Sequence, residues 1–111
     1  MKNNTNGCVK KLPRVWQRKL DRVLNVVADE FGYDDESEIW EQSRVPYRCG
    51  ARWIVWDYMR EMGMSSTQIA LYCKREHTTI VHGWGRVATE LRLSPDMRAI
   101  YRAINRRVIG L

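Results

Sequence analysis

Trp16, Leu20, Val23, Val27 and Phe31 follow one another at spacings of 4, 3, 4 and 4, the period of one face of an α-helix and of no strand. The same period returns further along, and nowhere does period-two alternation run long enough for a strand. The chain is therefore expected to be all-α, with about six helices. Pro13 suits the first turn of the first helix, and Gly32 closes it. Asp34 or Asp35 caps a short second helix reaching about Gln42, with Ile39 and Trp40. Ser43 to Gly50 contains Pro46, lacks periodicity and reads as a loop. A third helix, about Ala51 to Met62, carries Ala51, Ile54, Val55, Tyr58 and Met62 on one face and ends at Gly63. Ser65 with Gln68 forms a capping box for a fourth, Ser66 to about Cys73. A fifth begins at Glu76 or His77 and runs to about Leu91 along Ile80, Trp84, Val87 and Leu91. Ser94-Pro95 opens a sixth, with Met97, Ile100, Tyr101, Ile104 and Val108 inward.

A chain of 111 residues is one domain's worth, and at that size folding buries roughly 60–70% of the unfolded surface. Residues 1–11 read as a flexible tail and 12–111 as one helical domain. No apolar run approaches the ~18 residues a membrane span needs. The polar, lysine-bearing start does not read as a secretory signal. Cys8, Cys49 and Cys73 are odd in number and include no Cys-x-x-Cys pair. That spacing speaks against a disulfide framework and a zinc finger, and points to a reducing cytoplasm.

The net charge of +6 hides a segregation. Between Val23 and Ser43 there is no Lys or Arg, while Asp29, Glu30, Asp34, Asp35, Glu36, Glu38 and Glu41 are acidic; the remainder carries 19 basic residues against 6 acidic, a balance of +13. Fourteen of the 19 are Arg, whose planar fork matches phosphate and guanine where Lys is a point charge. Such an asymmetry favours a polyanion. A membrane surface fits less well, because no segment is a basic amphipathic helix with a free apolar face.

Ser66 to Gly83 then read as a helix-turn-helix. Ala70 is small where two steeply crossing helices touch. Ile69, Cys73, Ile80 and Val81 have the spacing of a shared core, and Gly83 permits close approach of another helix. Thr78, Thr79, His77 and Arg75 cluster at the start of the second helix, the end that meets base edges in a major groove and whose free N–H groups favour phosphate.

Arg75-Glu76-His77-Thr78-Thr79-Ile80-Val81-His82 resembles the signature of the C-terminal DNA-binding domain of the bacterial replication initiator DnaA, usually Arg-Asp-His-Thr-Thr-Val, then one residue and His. The resemblance covers roughly 90 of the 111 residues, outside the octamer in helix order and apolar pattern. It implies a fold similar to that Trp-repressor-like domain. It implies base contacts from Glu76, His77, Thr78 and Thr79 in the major groove and from Arg44 in an adjacent minor groove. It places Arg48, Arg52, Arg60, Ser66, Thr67, Lys74, Arg75 and His82 on backbone phosphates. The chain departs from the family at Cys73-Lys74, where a slightly longer glycine-containing turn is usual, at Glu76 in place of Asp, and at Gly83-Trp84-Gly85. No Gly-x-x-x-x-Gly-Lys-Ser/Thr loop occurs, so the resemblance is to the reader without the nucleotide-driven motor; no nucleotide or other cofactor is expected.

His77 and His82 lie five apart and Cys73 four before His77, yet no His-Glu-x-x-His pattern and no fourth ligand accompany them, so no metal is expected. A Cys–His pair without an orienting acid or a glycine-rich oxyanion site does not read as an enzyme. Trp16 and Trp84 fall in core stripes, whereas Trp53 and Trp56 lie off the main stripe of their helix and stay open to a partner. The expectation is a cytoplasmic, nucleoid-associated, sequence-specific binder of double-stranded DNA that regulates transcription or replication at initiator-like sites, as a monomer. The alternative is a helical module that binds a protein of the replication or transcription machinery through Trp53, Trp56 and the acidic 29–41 segment; RNA comes third.

Overall fold

The computed structural model describes residues 13–41 and 46–109, the side chains of 46–49 excepted. The tail expected at 1–11 lies outside them. The described chain is all-helical, without strands: α1 (Arg14–Glu30), a 3-10 helix (Glu36–Trp40), α2 (Pro46–Glu61), α3 (Ser66–Cys73), α4 (His77–Leu93) and α5 (Pro95–Ile109). Five α-helices and one 3-10 helix stand close to the six expected. The loop expected at 43–50 is corrected in its second half, because α2 starts at Pro46. Proline is pre-set for a first turn, since its fixed φ is helical and its missing N–H would have no partner there.

Three helices close in one way. At the end of α1 the Tyr33 amide donates to Ala28 O (2.8 Å) and that of Gly32 to Asp29 O (3.0 Å), with Gly32 left-handed at φ 75. After α2 the Met64 amide donates to Met59 O (3.1 Å) and that of Gly63 to Arg60 O (2.9 Å), with Gly63 at φ 101. This closure satisfies carbonyls the helix leaves over. It recurs after α3, where the Arg75 amide donates to Ala70 O (2.9 Å), but there the left-handed residue is Lys74, at φ 58. Asp35 caps the 3-10 helix in a capping box with Glu38, and the Ser94 hydroxyl accepts from the Met97 amide (3.1 Å) at the start of α5.

α2 is the centre of the molecule. Ile54, Val55, Trp56, Tyr58 and Met59 are all buried, so most of its circumference is core rather than the single face expected. α1 packs on α2, α4 packs on it more extensively, α3 packs on α4, and α5 rests on α1 and α4. Helix α4 comes closest at Gly83, where a Cβ would lie 2.6 Å from Cε3 of Trp56 and 3.0 Å from Cδ1 of Trp53. The indole N–H of Trp84 donates to Trp56 O at 3.0 Å, locking the crossing from the next residue.

Two polar contacts fasten α5 to α2. The Tyr101 hydroxyl donates to Asp57 Oδ2 and that of Tyr58 to Asn105 Oδ1, both at 2.7 Å, and the two rings stack with centroids 5.8 Å apart. Asp57 is buried, and its other oxygen accepts from Arg60 Nη2 at 2.7 Å. Burial first, then the neighbouring Asp57 charge, pushes the Tyr58 phenol up from 10.0 to about 12; burial and the Asp57 hydrogen bond push Tyr101 up as well.

Two outcomes follow from this packing. Gly83→Ala is expected to destabilise by ~1–3 kcal/mol through overpacking against Trp56, whereas Gly85→Ala, which meets nothing within 4 Å, gains ~0.5–1 kcal/mol of helix propensity. Urea-unfolding midpoints moving in opposite directions are the check. A phenol whose pKa is higher folded than unfolded contributes stability below its unfolded value and loses it as pH rises. The melting temperature is therefore expected to fall between pH 10 and about 12, and to fall less in Tyr58→Phe.

Candidate nucleic-acid interface

The helix-turn-helix is built from local signals that agree. The Gln68 amide donates to the Ser65 hydroxyl (3.1 Å), and the Ser65 amide to Gln68 Oε1 (2.8 Å), the capping box that starts α3. Ile69, Ala70 and Ile80 are buried between α3 and α4, and Cys73 is half-buried. Lys74 then turns the chain through the left-handed region, which costs a side-chain-bearing residue roughly 1–3 kcal/mol.

Glu76, His77, Thr78 and Thr79 are all exposed at the start of α4. Glu76 is the N-cap, but its carboxylate makes no capping hydrogen bond. The Thr79 and Ile80 amides donate to Glu76 O, and the amides of the first turn ahead of them have no partner within the helix. His82 is exposed one turn on, Thr67 is exposed at the start of α3, and Ser66 beside it is half-buried. Val81, expected in the core, is 49% exposed. It lies three residues after Thr78 and four after His77, hence on their face, and is the candidate residue that sequence reasoning missed. The helical wheel carried the signal: once Ile80 faces α3, the next residue is turned by about 100°.

Several arginines occupy other places than expected. Arg52, expected on a phosphate, is only 7% exposed, and its Nη1 donates to Ile39 O and Glu41 O. Arg75 is half-buried, with Nη2 3.4 Å from Trp40 O. Together they cover three successive carbonyls at the end of the 3-10 helix. Both tie that helix to α2 and the turn; the burial of Arg52 corrects its expected phosphate contact, while half-buried Arg75 keeps part of its side chain at the surface. Arg60 pairs with Asp57 at 2.7 Å and lies over the Trp84 ring, 4.8 Å from its centroid, although half its side chain stays exposed. Lys74 is exposed. Arg44 lies outside the described residues, as does the side chain of Arg48 in the first turn of α2.

Of the two tryptophans expected to stay open to a partner, Trp56 is corrected to core. Trp56 is 2% exposed, and Trp53 is half-buried under the Arg86 guanidinium, 5.2 Å from its ring centroid. Much of the acidic segment is engaged within the chain. Arg107 Nη1 pairs with Asp29 (2.6 Å) and Glu30 (2.8 Å), and Glu38 Oε2 accepts from the amides of Asp34 and Asp35. The Ser37 amide bonded to Asp35 holds that carboxyl below its usual range. Among the described residues no group of three His, Cys, Asp or Glu gathers as a metal site, and no helix is long and apolar enough to cross a membrane. No protein-family model, curated protein or solved structure matches the chain.

Arg52→Leu is expected to lower stability by about 2–3 kcal/mol, the scale of hydrogen bonds from a charged donor to otherwise unpaired carbonyls. A shifted urea midpoint with little change in helical circular dichroism is the check.

Proposed function

We propose that the chain binds duplex DNA sequence-specifically through α3 and α4 and regulates transcription or replication at sites like those of the initiator it resembles. The observation that carries this reading is the run Glu76 to Thr79, four exposed side chains with hydrogen-bonding capacity on the first turn of α4, in the position from which a recognition helix meets base edges. The chemistry suits a major groove. Glu76, uncommitted to capping, accepts from a cytosine amino group; Thr78 and Thr79 pair with either donors or acceptors; Val81 offers an apolar contact to a thymine methyl. His77 presents a donor and an acceptor.

Phosphate contacts come from Lys74, His82, the first turn of α4 and Thr67 with Ser66 at the start of α3, where free amides and the helix dipole favour an anion. These set affinity and orientation, while the base contacts set sequence. Arg44, between the 3-10 helix and α2, supplies a minor-groove contact in this reading. The protein-interaction alternative loses support with Trp56 in the core and Asp29 and Glu30 bound to Arg107.

Selection from randomised duplexes is expected to enrich one motif, with affinity falling steeply as salt rises. His77→Ala or Thr78→Ala is expected to cost ~1–3 kcal/mol of discrimination against the wrong base, and Lys74→Ala to weaken all sequences alike and lower the salt slope by about 1. Failure of any motif to enrich would overturn the reading.

A further inference from the structure

We propose that the outer faces of α1 and α5 form a second phosphate-binding surface that takes a second segment of duplex DNA, so that one molecule holds two segments at once. This rests on the DNA-binding reading of α3 and α4 but uses different residues.

Apart from Arg92, exposed in the last turn of α4, the arginines whose side chains are described divide into two populations. Arg52, Arg60, Arg75, Arg86, Arg98 and Arg107 are engaged within the chain. Arg14, Arg18 and Arg22 on α1, with Lys19, and Arg102 and Arg106 on α5 are exposed and have no hydrogen-bond or ion-pair partner among the described residues. Side chains of this kind are held for a partner outside the chain or left to water. Their placement favours the partner.

Arg14, Arg18 and Arg22 recur every four residues opposite the buried stripe of Leu20, Val23 and Val27. At 1.5 Å per residue they span ~12 Å, a length over which a duplex presents roughly seven charges. Arg102 and Arg106 repeat the spacing on α5, opposite buried Ile104. The two helices share a groove whose walls include Arg18, Arg22, Asn105 and Val108. Two acids, Asp21 and Glu61, line the groove beside Arg18, Lys19 and Arg22, so the basic residues outnumber them there; Asp29 and Glu30 are held by Arg107.

Helices α2 and α5 stand between α1 and the α3–α4 pair, while α5 itself packs on α4, so a duplex lying along α4 leaves the α1 part of this surface open. A lipid surface is disfavoured because the apolar face of α1 is committed to the core, and an interfacial helix needs that face free.

The test is a sandwich capture: bead-tethered duplex carrying the selected motif, protein, then a labelled second duplex. Wild type is expected to retain the label. The variant Arg18→Gln/Arg22→Gln/Arg102→Gln/Arg106→Gln is expected to shift a single duplex normally yet retain at least about 10-fold less label, and the matching four-lysine variant to recover most of it. A wild type that shifts one duplex but retains no second, or equal retention by the glutamine variant, overturns the proposal and leaves the first site standing. Competition by polyglutamate but not by unlabelled duplex assigns the surface to an acidic protein and overturns it too. No single-duplex shift by wild type overturns the DNA reading itself, and this proposal with it.

Discussion

The contact of Gly83 with Trp56 fixes the position of everything that faces a partner. No other residue type fits there, since any Cβ would fall within 2.6 Å of the indole, and Trp56 has nowhere else to go in a core formed around α2. The crossing of α4 over α2 is thereby set at one point, and the hydrogen bond from Trp84 to Trp56 O sets its rotation. With α4 so held, the first turn of that helix projects at a defined place, six residues ahead of the contact at His77. The exposed run Glu76 to Thr79 is a rigid extension of a buried wedge rather than a feature of a loop.

Much of this was legible from the chain. The stripe from Trp16 to Phe31, the Ser65–Gln68 box, the Ser94-Pro95 start and the stops at Gly32 and Gly63 each express a local rule, and local rules are readable one element at a time. Gly83 was legible as a close approach, though not what it approaches. The failures share a cause: they depend on how many neighbours an element has. A helix covered on one side shows one stripe, but α2 is covered on nearly all sides, so Arg52 and Trp56, four residues apart on a second face, looked like surface. Two polar residues inside that cover, Arg52 and Asp57, are buried with partners outside α2, on the preceding 3-10 helix and on α5, which no periodicity reports. Val81 failed in the opposite direction: an apolar residue beside Ile80 was assigned to a core that has room for one of the pair.

Charge counting carried a similar blind spot. The balance of +13 outside the acidic segment treats every arginine as available, yet several close off backbone instead. Arg52 and Arg75 cover the last carbonyls of the 3-10 helix, and Arg98 donates to Leu91 O and Arg92 O at the end of α4. Cations at helix C-termini answer both the orphan carbonyls and the dipole. Arg60 and Arg86 lie on tryptophan faces, and Arg107 pairs with the acidic segment. Segregation of charge along the sequence is thus partly undone in space, because Arg107 brings α5 back against Asp29 and Glu30. Among the described residues, the basic side chains left over are Lys74 at the turn, Arg92 at the end of α4, and those on the outer faces of α1 and α5.

The turn itself shows a conflict between stability and charge. Two of the three left-handed helix closures use glycine, which enters that region without strain, whereas the third uses Lys74 at a cost of roughly 1–3 kcal/mol. A glycine there would make the same closure through Arg75 and Ala70 O, so nothing in the packing asks for a side chain; Lys74 is exposed. What the lysine adds is a positive charge three residues before the first turn of α4, beside amides that already favour an anion. Among the described left-handed closures, the one without glycine falls where the DNA-binding reading places a phosphate. Strain kept at a single exposed position, next to the residues that read bases in that reading, is the expected mark of a site where affinity rather than folding sets the choice of residue.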